Sequence, residues 1–190
     1  MPIKTKYIVV TGGIEGKIEV IRHCRENGLP FLGICYGMQL AVIEFARNEC
    51  DILGACTTEI EQDGKKCSEP VICILPSQKE VYRKGGTMRL GGQDVALKKK
   101  SRAWEIYGKD NIRRRFRHRY EANPEFVGRL ETGGIVFSGT TTDGEIVQVM
   151  ELPEHPFFFA TQYHPELVSR LEEPEPLFEG LVEAALKQKL

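Results

Sequence analysis

Phe31-Leu32-Gly33-Ile34-Cys35-Tyr36-Gly37-Met38-Gln39 is the stretch on which the reading of this chain turns. A short apolar run ends at a cysteine, with one glycine two residues before it and another two after. Glycines at those places allow a tight turn without side-chain crowding. The pattern is that of a nucleophile elbow: a strand stops, the reactive atom sits on the turn, and a helix starts behind it. Here sulfur stands where the better-known motif has a serine oxygen. A cysteine at a helix N-terminus also feels the positive end of the macrodipole, which favours thiolate.

Taken alone, a cysteine after an apolar run reads first as a buried core cysteine, because free cysteine packs as a small hydrophobe, and the flanking glycines are what turn the reading towards a nucleophile. A nucleophile needs a base. One is offered by Gln162-Tyr163-His164-Pro165-Glu166, after the strand-like run Phe157-Phe158-Phe159-Ala160-Thr161. In an extended segment residues two apart share a side. Glu166 is therefore placed to orient the His164 imidazole and stabilise its charged form.

Working outward, the chain alternates strand and helix signals. Tyr7-Ile8-Val9-Val10 reads as a buried strand closed by Thr11-Gly12-Gly13. Ile14, Ile18, Val20 and Ile21 give a helical face, ended by Asn27-Gly28 and Pro30. Leu29 to Ile34 is the next strand, and Met38 to Arg47 the helix behind the elbow. This order predicts a parallel sheet with right-handed crossovers. Val71 to Leu75 is a further apolar segment. The second half is richer in strands: Asp94 to Leu97, Arg113 to Glu121, Gly134 to Ser138, Glu145 to Leu152 and Phe157 to Tyr163. Asn123 to Glu131 reads as a short helix. Pro176 to Lys189 reads as a closing helix after the acidic connector Glu172-Glu173-Pro174-Glu175-Pro176.

Composition sets the outer bounds. A chain of 190 residues is long enough for one sizeable core. Hydrophobic residues make up 41% and charged residues 28%, which excludes a disordered or membrane-embedded class. No apolar run reaches membrane-spanning length, and no signal-peptide pattern opens the sequence. A net charge of −1 argues for neither nucleic acid nor acidic lipid. The six cysteines form no C-x-x-C pair, so no metal site is expected, and without a secretory signal all are expected to be reduced.

Ten Lys/Arg and two acids lie between Lys98 and Arg119. Such a run suits phosphate or nucleic-acid contact, and equally a solvated β face.

Gly-Ile-Cys-Tyr-Gly-Met-Gln with His-Pro-Glu resembles the class I glutamine amidotransferases. Gly86-Thr87-Met88-Arg89-Leu90-Gly91 and Arg117-His118-Arg119-Tyr120-Glu121 narrow the resemblance to the amidotransferase domain of the CTP synthases, from about Ile14 to the C-terminus. The fold implied is α/β and flavodoxin-like: a parallel-rich central sheet with flanking helices, an additional antiparallel part, and the first strands missing. The resemblance implies hydrolysis of L-glutamine by Cys35, His164 and Glu166. Arg119 falls on the arginine that reads the substrate α-carboxylate, and Glu59 on the glutamate that reads its ammonium. Gln39 falls on a pocket glutamine, and Tyr36 lends a backbone oxyanion donor. Tyrosine at this last place is a departure from the family's leucine. Gly86 to Gly91 resembles a lid with glycine hinges. The domain itself needs no cofactor; ATP, Mg²⁺ and a GTP effector are implied for the full family enzyme, in which a synthetase domain uses the ammonia to aminate UTP to CTP. A cytoplasmic setting is implied, with neither nucleic acid nor membrane as partner.

The N-terminus departs from this pattern. The family's oxyanion loop reads roughly Pro-Gly-Gly-Phe-Gly-x-Arg-Gly before Ile-Glu-Gly-Lys-Ile. Here Thr11-Gly12-Gly13 runs straight into Ile14-Glu15-Gly16-Lys17-Ile18, about five residues shorter. Residues 1–13 instead resemble the opening strand of a synthetase domain, without the P-loop that would follow it, and residues 14–190 the amidotransferase domain. The expectation is a reading frame with a large internal deletion, in which Tyr7 to Val10 takes the lost strand's place and Gly13 becomes the substrate-contacting glycine. A shortened loop lowers activity, and a missing sheet edge invites a homo-oligomer. The alternatives are a catalytically silent regulatory or interaction remnant of the same fold, and another amidotransferase or γ-glutamyl hydrolase, against which Gly86 to Gly91 and Arg117 to Glu121 argue.

Overall fold

Phe157-Phe158-Phe159-Ala160 has no polar side chain, and a strand of that kind belongs where both faces are covered. The computed structural model describes residues 13–75 and 88–188. In chain order its helices are α1 (Ile14–Glu26), α2 (Tyr36–Glu49), α3 (Arg102–Tyr107), α4 (Pro124–Thr132) and α5 (Pro176–Lys187). Its strands are β1 (Phe31–Ile34), β2 (Ala55–Thr57), β3 (Glu69–Cys73), β4 (Arg89–Leu97), β5 (Asn111–His118), β6 (Glu121–Ala122), β7 (Val136–Thr140), β8 (Val147–Glu151) and β9 (Phe158–Thr161). Short 3₁₀ turns cover Thr58–Asp63 and Pro165–Leu167.

Most of the apolar run lies in β9, which is buried throughout, and Phe157 directly before it is buried too. It lies inside a six-stranded sheet ordered β1-β9-β8-β7-β4-β5; β2-β3-β6 form a smaller sheet. Side chains of β9 alternate between two cores, as a period of two requires. Phe158 and Ala160 face a cluster built with α1, α2 and α4, including Ile21, Met38, Ile43 and Leu130. Phe157 and Phe159 face Leu177 of α5 and Ala103 of α3. Burying one such aromatic or aliphatic side chain contributes about 1.5–3 kcal/mol.

The sheet is mixed. β1 pairs parallel with β9, and β2 with β3. The other pairings are antiparallel, so the described sheet carries fewer parallel pairs than the opening alternation suggests. The reason is local: β7 and β8 are joined by a tight turn in which the Gly144 N–H donates to the Thr141 carbonyl at 2.8 Å and Gly144 takes a φ of +80°. A parallel pair would need a long crossover there.

Helix α2 has a buried face broad enough to include Glu44, which is 0% exposed. Arg25 of α1 meets it through Nη2 and Nε at 2.8 and 3.0 Å, and Asn48 Nδ2 adds a third donor at 3.0 Å. This fork fixes α1 against α2.

Several expectations meet corrections. The thiols are not all reduced: Cys56 and Cys67 are joined, because the 3₁₀ turn and a left-handed Gly64 (φ +74°) fold the chain back until their Cα atoms are 5.7 Å apart. The basic run is not one β face. It contains α3, capped by the Ser101 hydroxyl accepting from the Trp104 N–H at 3.1 Å. Four of its ten cations are engaged within the chain: Arg114 with Glu175 (2.8 Å), Arg113 with Asp94 (3.1 Å), Lys99 with Asp110 (3.3 Å), and Arg102 with the carbonyls of His155 (2.5 Å) and Pro156 (2.7 Å). Glu175, read as part of a connector, is 3% exposed and also bonds the Tyr107 hydroxyl. The expected strand Tyr7 to Val10, the rest of residues 1–12, and Gly86 and Thr87 of the lid-like segment lie outside the described residues. No helix among the described residues is long and apolar enough to cross a membrane.

Candidate active site

Two neighbouring parallel strands deliver the two reactive groups. Ile34 of β1 registers with Thr161 of β9, and the Cys35 N–H donates to the Thr161 carbonyl at 2.7 Å. Cys35 therefore leaves β1 beside the end of β9, and His164 follows three residues after Thr161. Ligand sites of α/β sheets lie at such carboxyl ends.

Cys35 has a φ of 54° and a ψ of −103°, a conformation costly for a side-chain-bearing residue and typical of an elbow. The geometry explains one glycine and not the other. A Cβ at Gly33 would lie 2.9 Å from the Gly37 carbonyl carbon and oxygen and 3.0 Å from Ala160 Cβ, whereas one at Gly37 meets nothing within 4 Å. Gly33 thus lets strand β1 approach the start of α2.

Sulfur is half-buried. Its thiol is pushed up from the ordinary value of 9.0, first by burial and then by the Glu166 and Glu121 carboxylates; the Tyr36 backbone N–H and the Gln162 side chain oppose this by bonding the sulfur. Burial thus opposes the thiolate that the helix macrodipole favours. Cys35 Sγ also lies 3.8 Å from the Arg117 carbonyl oxygen.

His164 Nδ1 lies 2.6 Å from Glu166 Oε1, and its backbone N–H donates to the Arg115 carbonyl at 2.9 Å. Nε2 is buried and has no hydrogen-bond partner among the described residues. A carboxylate on Nδ1 fixes the tautomer that leaves Nε2 as the working nitrogen.

Gln162 escaped the sequence reading. It is 1% exposed, its Nε2 lies 3.7 Å from Cys35 Sγ, and its Oε1 accepts from Gln39 Nε2 at 3.3 Å. Gln39 Nε2 also donates to the Tyr120 carbonyl at 2.9 Å, so this amide braces the nucleophile's surroundings. The available signal was position: Gln162 stands two residues before His164, just after a strand end.

Glu59 sits on the Thr58–Asp63 turn. With Ile14, Tyr36, Ile60, Gln62 and Asp63 it lines a cleft at the N-terminus of α2, which Cys35 and His164 do not line. Burial first, and then the Glu59 carboxylate, raise the Tyr36 and Tyr120 phenols. Arg119 is exposed beside Tyr120, and it does not line this cleft. Gly13 is the exposed N-cap of α1 and borders an adjoining depression with Thr57 and Ile60. Glu121, fully buried, bonds Arg89 Nε at 2.8 Å and lies 2.7 Å from His118 Nε2, tying β4, β5 and β6 together behind the sulfur. No cluster of three or more His, Cys, Asp or Glu that could hold a metal occurs among the described residues.

A family model for glutamine amidotransferase class-I matches residues 5–184. The chain belongs to the class I glutamine amidotransferases. It is 50% identical over 184 residues to the CTP synthase of Borreliella afzelii (strain PKo), which covers 94% of this chain and 34% of that protein. It is also 50% identical over 177 residues to the CTP synthase of Archaeoglobus fulgidus, covering 93% and 33%. A solved structure described as the Trypanosoma brucei CTPS glutaminase domain with bound acivicin matches with a TM-score of 0.84 at 30% identity, over 97% of this chain and 70% of that one. A glutamine amidotransferase from Thermotoga maritima matches at TM-score 0.52 and 14% identity, over 94% of this chain and 76% of that one, a likeness of fold alone. The chain spans about a third of the length of the curated relatives it matches. It is a glutamine amidotransferase domain of the CTP synthase type.

Proposed function

We propose that the chain hydrolyses L-glutamine to glutamate and ammonia, with Cys35 as nucleophile, His164 as acid and base, and Glu166 holding the imidazole. The observation that carries this reading is the strained Cys35 at the end of β1, with the His164–Glu166 pair (2.6 Å) at the end of the neighbouring β9.

His164 Nε2 takes the thiol proton as sulfur attacks the side-chain amide carbon of glutamine, forming a C–S bond. The Tyr36 N–H, already directed at the sulfur, and backbone at Gly13 donate to the oxyanion. The imidazolium then protonates the amine; the C–N bond breaks and ammonia leaves. Water, deprotonated by His164, attacks the thioester. The C–S bond breaks, glutamate departs, and the proton returns to sulfur. Arg119 suits the substrate α-carboxylate by its guanidinium fork, and Glu59, on the cleft beside Tyr36, suits its ammonium. Gln162, supported by Gln39, steadies the thiolate as it forms.

In the whole protein, the ammonia would serve a synthetase domain that aminates UTP with ATP and Mg²⁺, GTP acting as effector, in a cytoplasmic setting. None of that chemistry needs a cofactor held by this chain, and CTP formation by residues 1–190 alone is not expected. The sequence before Ile14 is shorter than the family pattern by about five residues, and loss of one oxyanion donor there would lower turnover by about a hundred- to a thousandfold. That same shortening is what favours the second reading, a silent remnant of the fold.

Labelling with 6-diazo-5-oxonorleucine, followed by peptide mass mapping, tests the proposal. Modification confined to Cys35, with ammonia release lost in Cys35→Ala, is expected. Folded protein that is labelled elsewhere or not at all, and releases no ammonia with or without a synthetase domain and GTP, rejects it in favour of the silent remnant.

A further inference from the structure

The turn that carries Glu59 has an unusual support. Thr58–Asp63 contains no fully buried residue, and its one apolar side chain, Ile60, is only half-buried. Within it, the Glu59 N–H donates to the Thr57 hydroxyl (3.2 Å), the Gly64 N–H to the Glu61 carbonyl (3.1 Å) and the Lys65 N–H to the Ile60 carbonyl (3.3 Å). These bonds shape the turn without fastening it to the domain. Fastening comes from Gln62 Nε2, which donates to the Tyr120 hydroxyl at 2.6 Å, and from the Cys56–Cys67 bond that closes the segment. Cys56 is on buried strand β2, 7% exposed, with its sulfur against the Glu69 carbonyl of β3. Cys67 is half-buried on the far limb of the loop, past exposed Lys65 and Lys66.

We propose that Cys56 and Cys67 form a redox-responsive site whose oxidation orders the Glu59 wall of the cleft and so raises affinity for glutamine. The inference rests on the glutaminase reading for its substrate, though not for its chemistry. The oxidant is a low-molecular-weight disulfide. The more accessible Cys67 thiolate attacks one of its sulfurs, forming a mixed disulfide and expelling one thiolate. The Cys56 thiolate then attacks the Cys67 sulfur and expels the second. Two protein thiols lose two protons and two electrons, and the small disulfide becomes two thiols. A thiol reverses both steps. With the bond open, ten residues between the two cysteines lose their closure, and past Thr57 on β2 the half-buried Ile60 and the Gln62 bond remain to hold them. Glu59 then has to be ordered by each incoming substrate, which weakens binding without changing the bond-making step.

The test uses the full chain and a Cys56→Ser/Cys67→Ser double variant, each equilibrated in oxidised or reduced glutathione. Three quantities are read: the Cys56–Cys67 cross-linked peptide by mass, amide hydrogen exchange over residues 58–66, and KM for glutamine from ammonia release. In the wild type, oxidation is expected to give the cross-link, to slow exchange in 58–66 by about tenfold, and to lower KM by about three- to tenfold. The double variant should show the reduced-state values in both buffers. Any Cys35 consumed by the oxidant removes active molecules and shows in kcat, leaving KM to report the clamp. Absence of the cross-link in folded protein, identical exchange in the two states, or an unchanged KM despite the cross-link overturns the proposal. Redox-dependent exchange without glutamine turnover in either state upholds the clamp and instead removes the glutaminase reading.

Discussion

Gly33→Ala and Gly37→Ala look alike in the sequence and should behave differently. The added methyl at position 33 would stand 2.9 Å from the Gly37 carbonyl group and 3.0 Å from Ala160 Cβ, all packed atoms with no flexible end. Ordinary contact begins near 3.4 Å, so β1 and the start of α2 must part by about 0.5 Å. Overpacking of this kind costs about 1–3 kcal/mol. At about 2–4 °C per kcal/mol for a domain of this size, the melting temperature should fall by about 2–12 °C. Cys35 lies between the two displaced pieces. Since a misplacement of about 1 Å costs about a hundredfold in rate, half of that should lower kcat by about tenfold or more. Gly37 is the contrast: it lies in α2 with open space where its Cβ would go, and glycine to alanine in a helix stabilises by up to about 1 kcal/mol. Its melting temperature should stay or rise. Thermal unfolding by circular dichroism with ammonia-release kinetics on both variants decides the matter. Equal destabilisation by the two substitutions, or Gly33→Ala with wild-type melting and kcat, would refute the close-approach account of the elbow.

Glu166→Gln should lower kcat by about a hundredfold or more with KM within about twofold, because the carboxylate holds the His164 tautomer and touches no proposed substrate atom; a matching rise in KM would place Glu166 in binding instead. Arg25→Met strands the fully buried Glu44 carboxylate and should cost about 3–5 kcal/mol by urea denaturation, with Arg25→Met/Glu44→Leu recovering most of it. Because burial first, then the Glu166 carboxylate, raises the Cys35 thiol, its alkylation by iodoacetamide should increase with pH through a midpoint above that of a free cysteine; a midpoint below it would show that the macrodipole prevails after all. His155 accepts the Phe157 N–H at Nδ1 and bonds the Cys24 carbonyl through Nε2, so the fold holds it neutral, and burial depresses its value from the ordinary 6.5. A depressed histidine adds stability above its unfolded value that is lost as pH falls through the folded one. Urea midpoints should therefore drop as pH falls below about 6.5, and His155→Gln should flatten part of that slope.

The parts of this domain legible in its sequence are those written locally. The elbow needed only the Gly-x-Cys run, and the helices α1, α2, α4 and α5 stand within a few residues of where apolar spacing puts them. α3 was missed because basic residues and a single tryptophan hide its short apolar face, although Ser101 and Gly108 mark its two ends. Glu175 was read as linker because a glutamate beside prolines carries no sign of the buried Tyr107 and Arg114 that it meets 68 and 61 residues earlier in the chain. The disulfide was missed for a related reason: eleven residues of separation says nothing until the 3₁₀ turn and Gly64 reverse the chain.

The active-site groups divide along the same line. Cys35 and His164–Glu166 announce themselves through short motifs, yet what brings their segments, more than a hundred residues apart, to the same end of the sheet is the β1–β9 pairing. Gln162 belongs wholly to that second kind of information. Its side chain acts only because β9 ends beside β1 and because Gln39, one turn into α2, directs its Nε2 at both the Tyr120 carbonyl and Gln162. A buried amide committed this way supplies a side-chain donor to a sulfur that burial otherwise keeps protonated. If Cys35 is the nucleophile proposed above, its chemistry depends less on a resting thiolate than on a donor such as Gln162 that steadies the anion as it forms.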